Sequence, residues 1–467
     1  MMKKMTLTAT PLALALALAL SGCMSLAPKY ERPAAPVAAA FPAMATSTAS
    51  NQAAAQIEWQ RFFADARLKQ LVDLSLANNR DLRVAILNIE QARAQFQIRR
   101  ADQLPTLSAV VAGNRVPGAN DSVISTYTAG FGVSAFELDL FGRVRNLTDA
   151  ALAQFLATEE ARRSTQISLI SSVANTYLAV LADDELLALT RQTLDARLES
   201  LKLTQLKYDN GVVSNLDLQL ALSLVDTARV VLAQQQRQRA QDANLLVLLV
   251  GQPLPDTLAP GNTLAQTELS ELPAGLPSDL LSVRPDIRAA EQQLIGANAN
   301  IGAARANFFP RISLTGSVGT ASSELSGLFK GGSFGWTFAP QAVLPIFDYG
   351  RNVANLGSAK AGRDIAVAQY ERSIQIAFRE VADALAGQAT YAEQLRAQRA
   401  VAAAEAERFK LSDLRYRSGA ASYLDLLDAQ RSLFSAQQAA VQANLQRLQN
   451  QVTLYRVLGG GWSNPVR

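Results

Sequence analysis

The only cysteine in the chain is the residue whose position best predicts covalent chemistry. Cys23 directly follows Leu-Ser-Gly at residues 20–22, the end of a short apolar run over residues 12–20 that Lys3 and Lys4 precede. The run is too short to span a bilayer as a stable helix and is typical of a signal peptide. Small residues before a cysteine resemble a bacterial lipobox. We therefore expect cleavage before Cys23, with S-linked diacylglycerol and an N-linked acyl chain on this residue and no other cofactor.

The residues after the cysteine predict where the anchor goes. Several acyl chains on one residue give stable attachment to a membrane. Met24, rather than an aspartate, follows Cys23, and in bacterial lipoprotein sorting this favours the outer membrane over the inner one. Residues 25–56 are rich in Pro, Ala, Ser and Thr, which predicts an extended tether. The expected order is a signal peptide at 1–22 and a lipidated tether at 23–56.

The composition argues against an enzyme. The 467 residues include no histidine, the side chain most used for acid–base chemistry near neutral pH, and one cysteine cannot form an intrachain disulfide. Glycines 459–461 lack the lysine of a phosphate loop, and the acidic residues 183–185 diverge around a helix as on a solvated face. Asp139 and Asp348 fit strand ends better than catalytic acids. We expect no catalytic residue and no resident metal, and a net charge of +4 is too small to indicate nucleic acid.

The chain contains two copies of one unit. The pattern Y-x-x-G-x-x-S-x-L-D-L-x-x-A begins at Tyr208 and returns at Tyr416, and shorter matches recur at nearly the same offset. A period of about 200 residues is too long for a solenoid repeat, so it indicates a duplication. The expected organisation is a first repeat at 57–252, a Pro-rich linker at 253–282, a second repeat at 283–461 and a tail at 462–467.

The repeated pattern predicts the tip of a helical hairpin. Gly211 and Gly419 suit the left-handed position that ends a helix. Ser214 and Ser422 each stand three residues before an aspartate, Asp217 or Asp425, a spacing typical of the capping box that opens the next helix. Residues 118–252 and 346–464 contain no proline and are rich in strong helix formers. Each repeat should therefore end in a long antiparallel helical hairpin, with tips near 208–217 and 416–425.

Each repeat should also carry two β-strands, at about 105–140 and 310–347. Apolar and small polar residues alternate there, with aromatic residues such as Phe131, Trp336 and Phe338 on the apolar side. A soluble antiparallel sheet produces the same period, but the lipid anchor favours strands that cross a membrane. Four strands cannot close a barrel, and open edges are not tolerated in hydrocarbon. A homotrimer would share one barrel of twelve strands, and its helices would form a hollow bundle.

Several motifs together resemble the TolC-like outer-membrane efflux proteins, in their lipoprotein branch of RND-type multidrug efflux channels. They are Trp59-x-x-Phe62-x-x-Asp65-x-x-Leu68 in the first half, and Arg284-Pro285-Asp286-Ile287 and Phe309-Pro310-x-Ile312-x-Leu314 in the second. Many members have proline where Ala66 stands. The resemblance implies a fold that is mainly α with membrane β: a trimeric 12-stranded outer-membrane barrel that continues as a periplasmic α-helical barrel. It also implies a periplasmic membrane-fusion (adaptor) protein and an inner-membrane pump as partners.

The resemblance extends to a gate at the hairpin tips. Asp425 and Asp428 are three residues apart on one helix face, and the first repeat has Leu220 where the second has Asp428. The family uses aspartate rings at this end of the tunnel, and Asp428 matches such a position, with Asp425 and Asp217 nearby. Three copies of Asp428 around a narrow lumen would attract cations and could bind one.

The resemblance also implies hydrogen bonds that close the tips. Tyr416 is the candidate partner, whereas Ala421 stands where an arginine can occur in the family. The sequence therefore does not identify the hydrogen bonds that close the tips.

The function that the resemblance implies is export of drugs or other small toxic compounds across the periplasm and the outer membrane. Two alternatives remain at this stage. The same conduit could serve a type I protein secretion system, or the chain could be a structural envelope lipoprotein that transports nothing. The substrates cannot be inferred, because a wide water-filled conduit carries no tight binding pocket.

Overall fold

The computed structural model describes residues 25–38, 41, 57–119, 122–270, 272 and 282–461. The signal peptide predicted at 1–22, Cys23 and the tail predicted at 462–467 lie outside these residues. The chain divides into two compact units, which are described separately. The strand unit comprises the described residues up to 35 together with 87–159 and 289–372, and the hairpin unit comprises 36–86, 160–288 and 373–461.

After two additional helices at the start of the first repeat, the helices and strands follow one order in both repeats. The first repeat runs α1 (Trp59–Phe62), α2 (Ala66–Asn78), α3 (Arg80–Ala101), β1 (Leu107–Pro117), β2 (Val123–Leu138), α4 (Arg143–Asp209) and α5 (Asn215–Val250). The second runs α6 (Pro285–Ala306), β3 (Arg311–Ser322), β4 (Phe334–Val343), α7 (Arg351–Arg417) and α8 (Tyr423–Val457). A short 3₁₀ turn, Leu264–Gln266, lies in the linker.

The strand unit contains one antiparallel sheet in the order β1-β2-β3-β4. Its pairing places Phe131 between Ala109 and Val318, with Trp336 next in the same row, so the apolar residues share one face. The other face is small and polar; there the Ser317 and Thr337 hydroxyls lie 2.7 Å apart. The alternation expected from the sequence is therefore present in the sheet. β1 and β4 form its two edges, and every residue of both strands is exposed.

Residues 25–35, the first described part of the tether, are extended and bonded to α6. The Arg32 guanidinium donates two hydrogen bonds to the Glu291 carboxylate, at 2.7 and 2.9 Å, and the Tyr30 hydroxyl adds a third at 3.0 Å. Further along α6, Asn298 donates to the Pro28 carbonyl and Arg305 to the Leu26 carbonyl. This part of the tether is therefore held to the protein rather than free.

The first-half motif builds the core of the hairpin unit around α1 and α2. Trp59, Phe62 and Leu68 are almost completely buried. Asp65 caps α2 by accepting the Leu68 N–H at 3.0 Å, and its other oxygen accepts the Tyr177 hydroxyl at 3.1 Å. Ala66 is the first residue of α2, a position that proline tolerates because its N–H has no partner within the helix. The departure from the family pattern therefore leaves the local fold unchanged.

The second-half motif joins three elements of the hairpin unit. The Arg284 guanidinium, with its side chain 8% exposed, pairs with Asp286 at 2.6 Å and with Glu380 of α7 at 2.8 Å. It also donates to the Val457 carbonyl at the end of α8. These partners offset the cost of burying the arginine charge, so this motif positions helices.

Candidate gate at the hairpin tips

Both hairpin tips have the turn and cap that the repeated pattern predicts. Gly211 and Gly419 adopt φ values of 74° and 76°, the left-handed region in which glycine carries no steric penalty. The Ser214 hydroxyl accepts the Asp217 N–H at 3.2 Å, while the Asp217 carboxylate accepts the Ser214 N–H at 3.1 Å. Ser422 and Asp425 form the same pair of bonds, each at 3.2 Å. Asp217 and Asp425 therefore cap α5 and α8.

Asp428 lies one turn further along α8 and takes no part in the cap. Its carboxylate forms an ion pair with the Arg408 guanidinium of α7, and Arg408 also pairs with Glu405 at 3.0 Å. Asp428 thus has a basic partner in the adjoining helix of the same hairpin, which the sequence did not single out. Residues 408 and 428 stand at nearly equal distances from the turn at Gly419, a symmetry that could have revealed the pair.

Tyr416 also has a basic partner, Lys207 of α4. The Lys207 ammonium lies 3.3 Å from the Tyr416 hydroxyl and 4.7 Å from the centre of its ring, so it contributes both a hydrogen bond and a cation–π contact. The Tyr416 ring in turn lies 5.3 Å from the Tyr423 ring, whose hydroxyl is 3.3 Å from that of Ser200. These contacts join the second hairpin to the first. Sequence reasoning missed Lys207, which stands next to the repeat partner of Tyr416.

An apolar tip cluster holds the two hairpins together beside these polar pairs. Its buried members are Ala221, Leu224, Tyr423, Leu426 and Leu427, and Leu201, Leu220, Phe409 and Tyr416 pack against it. Leu220 occupies the position in the first repeat that corresponds to Asp428. The two repeats differ here because one side chain packs against the cluster while the other is exposed and paired with Arg408.

The acidic residues 183–185 do not form the solvated face expected from the sequence. Asp183 of α4 is only 7% exposed, and its carboxyl lies against that of Asp242 on α5. Burial, then the contact with Asp242, raises the pKa of Asp183 to about 7. Asp184 is exposed and pairs with Arg239 at 3.0 Å. Among the described residues, no group of three Asp, Glu, Cys or His side chains could hold a metal ion.

Asp139 and Asp348 follow strands β2 and β4 and cap the helices that come next. Asp139 accepts the Arg145 N–H of α4 at 2.7 Å, and Asp348 accepts the Asn352 N–H of α7 at 2.9 Å. Close by, the Glu137 carboxylate pairs with Arg143 and Arg311, each at 2.6 Å. These residues therefore fasten the sheet to its helices.

A sheet with an apolar face and two exposed edges, together with two long helical hairpins, is typical of a class of outer-membrane channels. Comparison with known proteins identifies the family. Residues 71–252 and 276–460 match the model of the outer membrane efflux protein family. The chain belongs to this family and is the outer-membrane channel component of an efflux system, with a large periplasmic helical part.

Relatives and solved structures agree with this assignment. The toluene efflux pump outer membrane protein TtgC of Pseudomonas putida is 50% identical over 453 residues, which cover 95% of this chain and 93% of the relative. The outer membrane protein OprJ of Pseudomonas aeruginosa is 48% identical over 451 residues, 94% of each chain. The open state of the Neisseria gonorrhoeae MtrE outer membrane channel matches with a TM-score of 0.87 and 41% identity, over 94% of this chain and 99% of that one. These relatives are channel and efflux proteins, not enzymes.

Proposed function

We propose that three copies of the chain assemble into one conduit that exports small, largely apolar molecules. An inner-membrane pump loads the conduit through a periplasmic adaptor that docks at the hairpin tips. The observation that carries this proposal is the four-stranded sheet, which has an apolar face and two exposed edges. The pump that contains TtgC is named for toluene, which supports small apolar compounds as cargo and gives no support to protein export.

The edges of the sheet support the trimer. β1 and β4 pair only on their inner sides within the described chain, and unpaired backbone groups in hydrocarbon cost several kcal/mol each. Pairing β4 of one copy with β1 of the next satisfies both edges, and three copies supply twelve strands, within the size range of bacterial barrels. Trp336, Phe338 and Phe131 are 73%, 61% and 56% exposed on the apolar face, where lipid would cover them. A purely structural lipoprotein would not need this face.

The tether supports lipidation at Cys23. The Ser25 hydroxyl donates to Asn146 near the start of α4, and Arg305 near the end of α6 binds the next residue, Leu26. α4 begins five residues after β2, and α6 ends five residues before β3. Two residues span at most about 7 Å, so acyl chains on Cys23 would enter the membrane close to the ends of the strands. The anchor and the barrel would then share one membrane.

The tips support docking and gating. Val212 and Leu216 at the first tip are 69% and 68% exposed, and Leu424 at the second is 55% exposed. These apolar side chains next to charged residues offer a surface for the adaptor. Three copies of Asp428, Asp425 and Asp217 would line the closed end of the conduit and attract cations.

The proposed function is tested in cells that lack their own outer-membrane efflux channel. Expression of the full chain with its cognate adaptor and pump should restore tolerance to toluene and lower the intracellular accumulation of an apolar dye. Deletion of residues 208–217 and 416–425 should abolish this effect while trimers still form. The proposal would be contradicted if the dye accumulated as strongly with the full chain as in the channel-deficient cells, although trimers were present in the outer membrane.

A further inference from the structure

A cavity of about 170 Å³ lies in the hairpin unit, where helices of the two hairpins meet. Gln192 and Thr193 of α4 line it together with Gln430 and Gln437 of α8, and the Arg197 side chain of α4 borders the same space. The volume is ample for several water molecules. Most of the polar side chains that face the cavity carry an N–H or O–H donor.

Arg197 is the unusual member of this group. Only 4% of the residue is exposed. Its Nη1 donates to the Leu224 carbonyl of α5 at 2.9 Å, and the guanidinium lies 5.4 Å from the centre of the Phe434 ring. The Nε–H, in contrast, is buried without a hydrogen-bond partner. One strong donor of a buried cation therefore remains unused next to a cavity.

No carboxylate of the described chain compensates the Arg197 charge. Asp195 and Glu199 flank it in the sequence, but both are exposed, and residues two apart on a helix do not face each other. The charged side chain that acts on it is another cation, Arg431, and burial together with this arginine lowers the pKa of Arg197. A buried cation without an anionic partner is strongly unfavourable.

We propose that this cavity binds a small inorganic anion, with chloride as its simplest member, held by the Arg197 guanidinium. The anion accepts the free Nε–H and is surrounded by the amide groups of Gln192, Gln430 and Gln437. In the present orientation of its side chain, the Gln430 Oε1 is buried without a partner. Rotation of this amide by 180° presents its NH₂ group instead, and the two orientations are not distinguished by shape.

A water molecule alone is the competing occupant. Water could bridge the Arg197 Nε–H and the Gln430 Oε1, but it would leave the buried positive charge uncompensated. An anion satisfies the same donor and also offsets the charge. The unpaired charge therefore favours the anion.

The site goes beyond the proposed transport function, because it would join the two hairpins of one chain. Arg197 belongs to α4 and holds α5 through Leu224, whereas Phe434, Gln430 and Gln437 belong to α8. Phe409 of α7 borders both this cavity and the apolar tip cluster. A bound anion thus stabilises the packing of both hairpins next to the tips.

The direct test is X-ray diffraction at the bromine absorption edge from crystals of the full chain grown in sodium bromide. An anomalous peak in the cavity within hydrogen-bond distance of the Arg197 Nε is the expected result. Density that refines as water, with no anomalous signal, would overturn the proposal.

A solution experiment tests the role of Arg197. The thermal midpoint of the purified protein should be higher in bromide than in gluconate, a bulkier anion, at equal ionic strength. The Arg197→Met variant should lose this difference, whereas Arg191→Met, at an exposed position of the same helix, should keep it. An equal response to bromide in both variants would contradict the assignment of the site to Arg197.

Discussion

At the scale of single residues, the tip carries acidic groups with different roles. Asp217 and Asp425 are held by their capping boxes, whereas Asp428 is exposed and paired with Arg408. In the proposed ring of aspartates, the charge that Asp428 presents to the lumen would therefore be offset by a neighbouring arginine of the same chain. Substitution of Asp428 and substitution of Arg408 should therefore have opposite effects on the block by divalent cations.

We predict that Asp428→Ala lowers cation selectivity and the block by divalent cations, because it removes the carboxylate from the proposed ring. A double change at Asp425 and Asp428 should lower both further. Arg408→Ala should instead strengthen the block, since it leaves the Asp428 charge unpaired. Single-channel recording in planar bilayers with added magnesium measures all of these effects. Unchanged selectivity in the double variant, with trimers intact, would show that the two carboxylates act only in helix capping and ion pairing.

The carboxyl of Asp183 predicts a pH dependence of stability. Its folded pKa of about 7 exceeds its ordinary value of 3.8, so folding favours the protonated form. The stability it contributes is complete below about pH 4 and is lost as the pH rises through about 7. Asp183→Asn cannot ionise and should therefore raise the thermal midpoint at about pH 8 more than at about pH 5.

Asp184→Asn is the matched control for this change. Asp184 is exposed and paired with Arg239, and its loss should change stability little, as for other surface ion pairs. Thermal unfolding of the three proteins in detergent across this pH range measures the effect. A constant gain for Asp183→Asn at every pH would contradict the prediction.

At the scale of elements, the hairpin turns depend on backbone conformation rather than on contacts. A Cβ added at Gly419 would meet no atom within 4 Å, yet its φ of 76° is unfavourable for any residue with a side chain. The strain should therefore appear without any clash. This separates the conformational requirement from packing.

We predict that Gly419→Ala lowers the free energy of unfolding by about 1–2 kcal/mol. Gly362→Ala, within α7, also meets no atom within 4 Å but has no positive φ, so it should instead raise stability by about 0.5–1 kcal/mol. Chemical unfolding followed by circular dichroism compares the two variants. Equal effects would mean that the turn imposes no left-handed requirement.

At the scale of the whole molecule, stability and assembly should depend on the membrane face of the sheet. Phe338 lies on the apolar face, and the adjacent Thr337 lies on the polar face and contacts Ser317. The two positions share one depth in the strand but differ in what they would meet in a trimeric barrel. Phe338 would contact lipid, and Thr337 would face the lumen.

We therefore predict that Phe338→Arg costs on the order of 2–4 kcal/mol near the bilayer midplane and reduces the amount of trimer in outer membranes. Thr337→Arg should assemble nearly as well as the unaltered chain. Native mass spectrometry of detergent extracts measures trimer and monomer. A stable, folded monomer of the unaltered chain would contradict the shared barrel.

Much of the element order could be predicted because it rests on local chemistry. Glycine at a left-handed position, serine three residues before an aspartate, and alternation with a period of two each act within a few residues. The duplication reinforces these signals, since the same pattern at Tyr208 and Tyr416 is expected to form the same turn and helix cap in both repeats. The sequence by itself thus determined the hairpin tips, the strands and the sidedness of the sheet.

Only the tertiary structure decided which side chains meet. Arg408 and Asp428 are twenty residues apart, and Lys207 and Tyr416 come from different repeats, so their contact depends on how the helices are aligned. The same alignment buries Asp183 against Asp242, although its neighbour Asp184 remains exposed. Burial and charge pairing depend on helix packing over the whole hairpin, and no local pattern contains that information.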